Sequence, residues 1–389
     1  MADARMKYRL TCLTPTLVGD GQRLAPIDYM VWKNHVNVLD QKRIFKLLAK
    51  GPRLDGYLMQ LKKAEKLDFG SWGGFAQNFA GRRIPFEHES CAPVWDRTRA
   101  EHLFIPTFAS GTAGPFLPGS AIKGALRTGM ASAAVSPAMV ERTAGGLTSG
   151  DFRSLRRTAN AFEDAALGGG GADAMKPFCA ADSKPIAESA FKVYLLRVST
   201  LESRGGKYEL GWKTSPRGAS KKADDSTAAF AEMAVPGTAF EGTWEERGFW
   251  LQPEIAHALR KKPGPDRAAI FRGLNEYSRR LLEIHKRYAD WTGLVLLHRN
   301  IEELETKLSS IRESGDACLF PLGWGGGFLS KSAFIDTGDA EIRKMLGQVA
   351  FYARPIQSGL PFPKTRRVVF LANQPATLPG WVLFEVSAG

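Results

Sequence analysis

Phe116-Leu117-Pro118-Gly119-Ser120-Ala121-Ile122-Lys123-Gly124-Ala125-Leu126-Arg127 is the stretch from which the rest of the chain can be read. Pro118-Gly119 breaks the preceding segment, and Ser120 stands where an N-cap hydroxyl would accept from a free backbone N–H. Ile122, Ala125, Leu126, Gly129, Met130 and Ala133 recur at helical spacing, which predicts a helix from residue 120 to about 135. Lys123 and Arg127, four positions apart, share another face of it. A cation in the first turn meets the positive end of the helix dipole, and Gly124 costs about 1 kcal/mol relative to alanine. Both costs make sense if a phosphate chain crosses the turn, drawing on positive charge and close backbone approach. An ordinary helix start with solvated cations is the other reading of the same residues.

Composition narrows the partner. The chain has 389 residues, enough for two or three domains, with 44% hydrophobic and 24% charged residues, so it is globular. A net charge of +13 favours a polyanion, either nucleic acid or an acidic membrane surface. Aromatic residues at 10% supply stacking surfaces for unpaired bases. No apolar run approaches a membrane span. Met-Ala-Asp-Ala-Arg leads into a strand pattern and not a signal peptide, so a cytoplasmic location is expected. Cys12, Cys91, Cys179 and Cys318 are far apart and form no paired zinc spacing. His88, Cys91 and His102 come nearest to a metal cluster and read as scattered loop residues. No metal or cofactor is expected. HExxH, a catalytic-serine elbow and a Walker A lysine are all missing.

Outward from the helix, the pattern predicts an α+β chain. Residues 8–13 alternate as a first strand, residues 29–32 and 35–39 form a hairpin around Lys33-Asn34, and Asp40 caps a helix with Ile44, Leu47 and Leu48 inward. Residues 54–118 read as an irregular insertion, 143–155 as a polar loop, and Gly168 to Gly171 as a flexible run. A strand is expected at 191–199, a mobile basic tip at 212–225, and a strand pair at 230–244 broken by Pro236-Gly237. Near residue 246 the character changes. Residues 268–291 form a long helix with Phe271, Leu274, Leu281, Leu282 and Tyr288 inward and Arg272, Arg279, Arg280, Lys286 and Arg287 outward. That basic face is either solvated or laid against RNA. Asn300 is expected to cap a second helix carrying Leu304, Leu308 and Ile311.

Gly323-Trp324-Gly325-Gly326-Gly327 follows, with Lys331 close behind. Four glycines in five positions open backbone angles closed to other residues and let N–H groups converge on an anion. Lys331 is placed to hold phosphates, and Trp324 either stacks on a base or packs.

Coupled to the Pro-Gly-Ser-x-x-Lys-Gly-x-x-Arg helix start, this loop resembles the RAMP superfamily of CRISPR RNA-binding proteins. Within it the chain is most similar to the fifth-subunit family of type III-A Csm effector complexes. Four segments carry the resemblance in order: 13–21 with Pro26-Ile27-Asp28-Tyr29; 116–127; 232–241; and 323–331 with Pro363-Lys364-Thr365-Arg366-Arg367. The resemblance implies RNA-recognition-like, ferredoxin-type modules with helical and loop insertions. It implies a RAMP domain over 1–245, inserted at about 54–118 and 140–190, and a helical and RAMP-like part over 246–389 bearing the glycine loop. Gly119, Ser120, Lys123, Gly124 and Arg127 would lie against crRNA backbone. Gly323, Trp324, Gly325, Gly326, Gly327 and Lys331, with Lys364, Arg366 and Arg367, would lie near the same strand.

By the same resemblance the chain caps a filament of backbone subunits at the crRNA 3′ end. It would contact complementary target RNA and the backbone and small Csm subunits, and support 3′ trimming by outside nucleases. RNA would be gripped through phosphate and 2′-OH groups, whatever the bases. Catalysis finds little support: metal-free RNA cleavage needs a base near a 2′-OH and an acid for the leaving oxygen, and the six histidines, His35, His285 and His298 among them, show no interpretable pairing. Asp20 and Asp28 occupy the region where related backbone subunits carry a cleaving acid, but their flanks do not match; a Gly-Asp-Gly turn and a strand edge account for them. A RAMP endoribonuclease that processes CRISPR RNA, and a RAMP subunit of a Cmr-type or other type III complex, remain as alternatives.

Overall fold

The computed structural model describes residues 4–49, 51–63, 66–67, 78–147, 152–216, 218–259 and 264–388. Its first sheet runs, in space, Ala317–Pro321, Trp381–Ala388, Ala4–Cys12, Ala239–Glu246 and Phe178–Ala180, every neighbour antiparallel. Along the chain, Ala4–Cys12 is followed by the helix Gly119–Ala133, the strands Phe178–Ala180 and Ala239–Glu246, the helix Arg267–Thr292 and the strand Trp381–Ala388. Numbered in that order, the four strands lie 4-1-3-2, the ferredoxin-type arrangement, with Ala317–Pro321 added at one edge. The fold is α+β, as expected. Phe271 of the long helix meets Trp244 and Phe384 of the sheet edge-on, with centroids 6.0 and 5.7 Å apart.

The two helices of this module pack on each other at Gly129, where a Cβ would lie 2.3 Å from Leu274 Cδ1 and would displace that side chain. The expected face of Gly119–Ala133 holds for Ile122, Leu126 and Gly129, which are buried, while Ala133 is exposed. Arg267–Thr292 buries all five residues named for its inner face, is capped by Asp266 and ends on Gly293 with φ +66°. Its outer face is largely paired within the protein: Arg279 with Glu276 and Glu283, Lys286 with Glu302 and Glu305. Asn300 lies inside the following helix, Val295–Ile311, and caps nothing; its side-chain oxygen accepts from Thr377.

A second sheet is built on the long strand Phe191–Arg204. Ala229–Ala234 and Lys207–Lys213 share one of its edges, Thr365–Leu371 takes the other, and Gln374–Thr377 and Ala219–Ser220 lie outermost. Residues 191–201 are almost all buried because both faces are covered, so the alternation in sequence is not one of core against solvent. Part of the tip expected at 212–225 is thus tied into this sheet; residue 217 lies outside the described ones. The strands on either side of Pro236-Gly237 do not pair with each other. Ala229–Ala234 joins the second sheet and Ala239–Glu246 the first, so this turn, with Gly237 at φ +87°, carries the chain between them.

The division expected at residue 246 is crossed by both sheets. The last strand pairs with the first, and Thr365–Leu371 pairs with Phe191–Arg204. Within the insertion expected at 54–118, Ala80–Pro85 pairs with His35–Leu39 and extends the Lys33-Asn34 hairpin to three strands. Both turn residues have positive φ, 44° and 58°, as a two-residue hairpin turn requires. Asp40 caps the helix Gln41–Leu48 through Arg43 N–H; Ile44 and Leu48 are buried, but Leu47 is exposed. This small unit is fixed to the second sheet by Arg82, which pairs with the fully buried carboxylate of Glu232. The loop expected at 143–155 is helical at both ends, in Pro137–Gly146 and Phe152–Leu167, and residues 148–151 lie outside those described. The glycines from 168 close a short 3-10 turn, Gly170–Ala172.

Candidate nucleic-acid interface

The helix start differs from its sequence reading by one residue. The helix begins at Gly119, whose N–H donates to Asp182 Oδ1 at 2.9 Å, so Asp182 takes the capping role expected of the exposed Ser120. Gly119 itself is a packing glycine: a Cβ would lie 2.1 Å from Ala180 O. Gly124 is the opposite case, exposed and with nothing within 4 Å of a Cβ. Arg127 donates to Asp173 Oδ2 at 2.6 Å and to Glu163 Oε2 at 3.2 Å. Burial works to lower its pKa, but the two carboxylates hold it above the ordinary value. Lys123, half-buried, has no ionic partner among the described residues.

The glycine loop leaves the edge strand Ala317–Pro321 and turns over the buried N-terminal loop. Trp324 N–H donates to Leu17 O at 2.7 Å. Gly323 has φ +79°, and a Cβ on it would lie 2.1 Å from the same carbonyl, so glycine is demanded here by packing and by conformation together. At Gly327, φ is +70° with open space around it. Trp324 is partly buried against the core and one face of its ring carries the Arg367 guanidinium, 4.1 Å from the centroid.

A cavity of about 550 Å3 opens between this loop and the strand Thr365–Leu371. Gly325, Gly326, Gly327 and Ser330 line one side, and Lys364, Arg366 and Arg367 another. Lys213 enters from the neighbouring strand, and Phe351 and Tyr352 from the helix Ala350–Gln357. Among the described residues no Asp or Glu lines it. Burial lowers the pKa of Lys364, and nearby Lys213 and Arg354 lower it further against Glu202. Arg367 is lowered by burial alone.

Arg366 reaches the wall of this cavity but is almost wholly buried. Successive strand residues point to opposite sides, and Arg366 points inward, where it is 7% exposed. Its Nε donates to His285 Nδ1 at 3.0 Å, Nη1 donates to the carbonyls of Pro363 and Thr365, and the group lies 4.5 Å over the Tyr288 ring. No carboxylate pairs with it among the described residues, and burial pushes its pKa down to about 10. His285, also buried, is held neutral by burial and by Arg366.

The helix start and the glycine segment meet at Lys331. Gly124, Arg127 and Lys331 line one side of a second cavity, of about 360 Å3. Lys331 is exposed, yet the protein crowded around it lowers its pKa, with no carboxylate to offset the effect. Ser120 and Lys123 line neither cavity. Lys213, Phe351 and Tyr352 were missed in the sequence because they lie far from both motifs. The aromatic-basic run Phe351-Tyr352-Ala353-Arg354 was the available signal.

The groups considered for catalysis are engaged in local structure. Asp20 accepts from Gln22 N–H, and Asp28 from Ala25 N–H and Gln41 Nε2. His35 bonds Lys33 O, and His298 lies between Asp290 and Glu302. His88 bonds Ser90 while Cys91 is buried in the core. No described helix is long and apolar enough to cross a membrane.

A family model described as the RAMP superfamily matches residues 9–330. No curated protein matches the chain. Among solved structures, the chain is similar to one in the Csm–crRNA–target RNA ternary complex of a type III-A CRISPR-Cas system. The identity is 19%, 98% of this chain and 100% of that one are covered, and the TM-score is 0.65. It is also similar to Csm5 of T. onnurineus, at 17% identity, 96% and 99% coverage and a TM-score of 0.58. The ferredoxin-type sheet, the glycine loop after its edge strand and a family match over most of the sequence agree: this chain belongs to the RAMP superfamily.

Proposed function

We propose that this protein is a non-catalytic RNA-binding subunit of a type III-A Csm effector complex, seated at the crRNA 3′ end of the backbone filament. The observation that carries the reading is the cavity beside the glycine loop, which gathers Lys213, Lys364 and Arg367 and, among the described residues, is lined by no carboxylate. Cations that pay desolvation without a counter-charge are poised for an external anion. A phosphate strand restores what burial removes, and released counterions add to its affinity. The end-to-end likeness in fold to Csm chains supports the choice of assembly. In this reading the partners are crRNA, complementary target RNA, the backbone and small Csm subunits, and the nucleases that trim the 3′ end. Lys331 and the open surface at Gly124 extend the path toward the helix start.

The test is co-purification with tagged Csm subunits, followed by sequencing of the bound RNA. Short RNAs with a shared 5′ handle are expected, with 3′ ends that lengthen or scatter when this chain is deleted. Unchanged 3′ ends and an intact complex without the chain would overturn the assignment. Incubating the purified chain with labelled repeat RNA checks the non-catalytic part: specific cutting that His35→Ala or His298→Ala abolishes would replace it with a processing nuclease.

A further inference from the structure

The aromatic wall of the 550 Å3 cavity is unexplained by phosphate binding. Phe328, Tyr352 and Phe362 line it and pack edge-on with centroids 5.1 to 5.3 Å apart. Phe351, next to Tyr352 at 5.4 Å, is 83% exposed, the highest value of any large hydrophobic side chain among the described residues. An exposed phenylalanine beside a braced aromatic cluster, in a cavity that Lys213 and Lys364 also line, offers a base and a phosphate complementary surfaces in one place. The volume exceeds what a phosphate needs, and the aromatic side gives a phosphate nothing. Aromatic rings are the platforms on which unstacked bases are held, with little preference for sequence.

We propose that this cavity takes one unstacked nucleotide of single-stranded RNA. Its base lies against Phe351 and Tyr352, and its phosphate lies between Lys364, Lys213 and the glycine loop. The proposal rests on the RNA-binding function above and adds to it a base contact, where the family resemblance implied only phosphate and 2′-OH contacts. A base still paired in a duplex cannot reach the rings, so the site selects an unpaired position on the strand.

The full-length protein separates the possibilities with three short labelled RNAs of equal charge: single-stranded, single-stranded with abasic riboses, and hairpin duplex. Phe351→Ala is expected to weaken single-strand binding about tenfold. It should leave the abasic strand and the salt slope unchanged, and Phe351→Trp should retain affinity. Lys364→Ala is expected to weaken both single strands equally and to reduce the salt slope by about one. On the unaltered protein, adenosine monophosphate should compete with RNA at least about tenfold better than ribose 5-phosphate. Equal competition by the two, or equal losses on intact and abasic strands in Phe351→Ala, overturns the nucleotide site while leaving phosphate binding standing. A Phe351→Ala defect confined to assembly with protein subunits also overturns it, making the ring a protein contact. If the unaltered protein binds none of the RNAs, both the site and the proposed function fall.

Discussion

Arg127 and Lys364 both sit in basic segments that the family resemblance lays against RNA, and the sequence ranks them alike. In the folded chain Arg127 is clamped by Asp173 and Glu163, and Gly119 at the start of its helix is there to pass the Ala180 carbonyl. Around Lys364 the balance is reversed: burial, Lys213 and Arg354 outweigh Glu202, and among the described residues no Asp or Glu lines its cavity. A net charge of +13 therefore does not mark a binding surface by itself. What marks one is positive charge left unneutralised by the protein's own carboxylates.

The largest effect is expected where a cation is most fully paired. Arg82→Met strands the Glu232 carboxylate, which burial already holds above its usual pKa even with Arg82 beside it. A loss of about 3–5 kcal/mol in urea unfolding is expected. An unchanged midpoint would mean that paired cations do not hold this fold together. Next come two of the three glycines of the helix Gly119–Ala133. Gly119→Ala drives a Cβ into the Ala180 backbone and should cost about 1–3 kcal/mol. Gly124→Ala meets open space and should gain about 1 kcal/mol from helix propensity. Thermal melts that move both variants in the same direction would contradict the contrast.

Binding should sort the two cations in the opposite sense from stability. Lys364→Ala should leave stability within about 0.5 kcal/mol and lower the salt slope of RNA affinity by about one. Arg127→Ala should cost up to about 1 kcal/mol of stability, since its ion pairs are partly solvated, and leave the salt slope alone. An equal slope change in both would show that pairing within the protein does not decide which cations meet RNA. The smallest effect is in the pH dependence. Burial depresses the folded-state pKa of His285, so below about pH 6.5 the unfolded chain takes up a proton that the folded chain refuses. That contribution is fully present above the unfolded pKa and is lost progressively as pH falls from there through the lower folded-state pKa. His285→Gln should flatten the acid side of the stability curve; a curve of unchanged shape would show that His285 is not the group responsible.

Features decided within a few residues were legible in the sequence. The Lys33-Asn34 turn, the Asp40 cap, the inner face of the helix Arg267–Thr292 and the helix near residue 120 all follow from local rules and appear in the fold. Asn300 was misread because a polar residue before a charged run looks the same at a cap as inside a helix. The turn at Pro236-Gly237 was correctly placed, but nothing local says whether the strands it joins pair with each other or enter different sheets. The candidate site divides in the same way. Its glycine loop and basic run are visible in the sequence, whereas the carboxylates that pair with Arg127 lie 36 and 46 positions away, and the histidine behind Arg366 lies 81 away.

The amino-acid sequence alone determined the excess of positive charge, the turns and caps, the helical periodicities and the two glycine-bearing motifs, because each depends on composition or on neighbours along the chain. Tertiary structure alone decided that the first and last strands share a sheet, that Arg366 turns inward, and that Lys364 and Phe351 line one cavity. Ion pairing depends on distance through space and on how much water has been excluded, and neither quantity exists until the chain has folded.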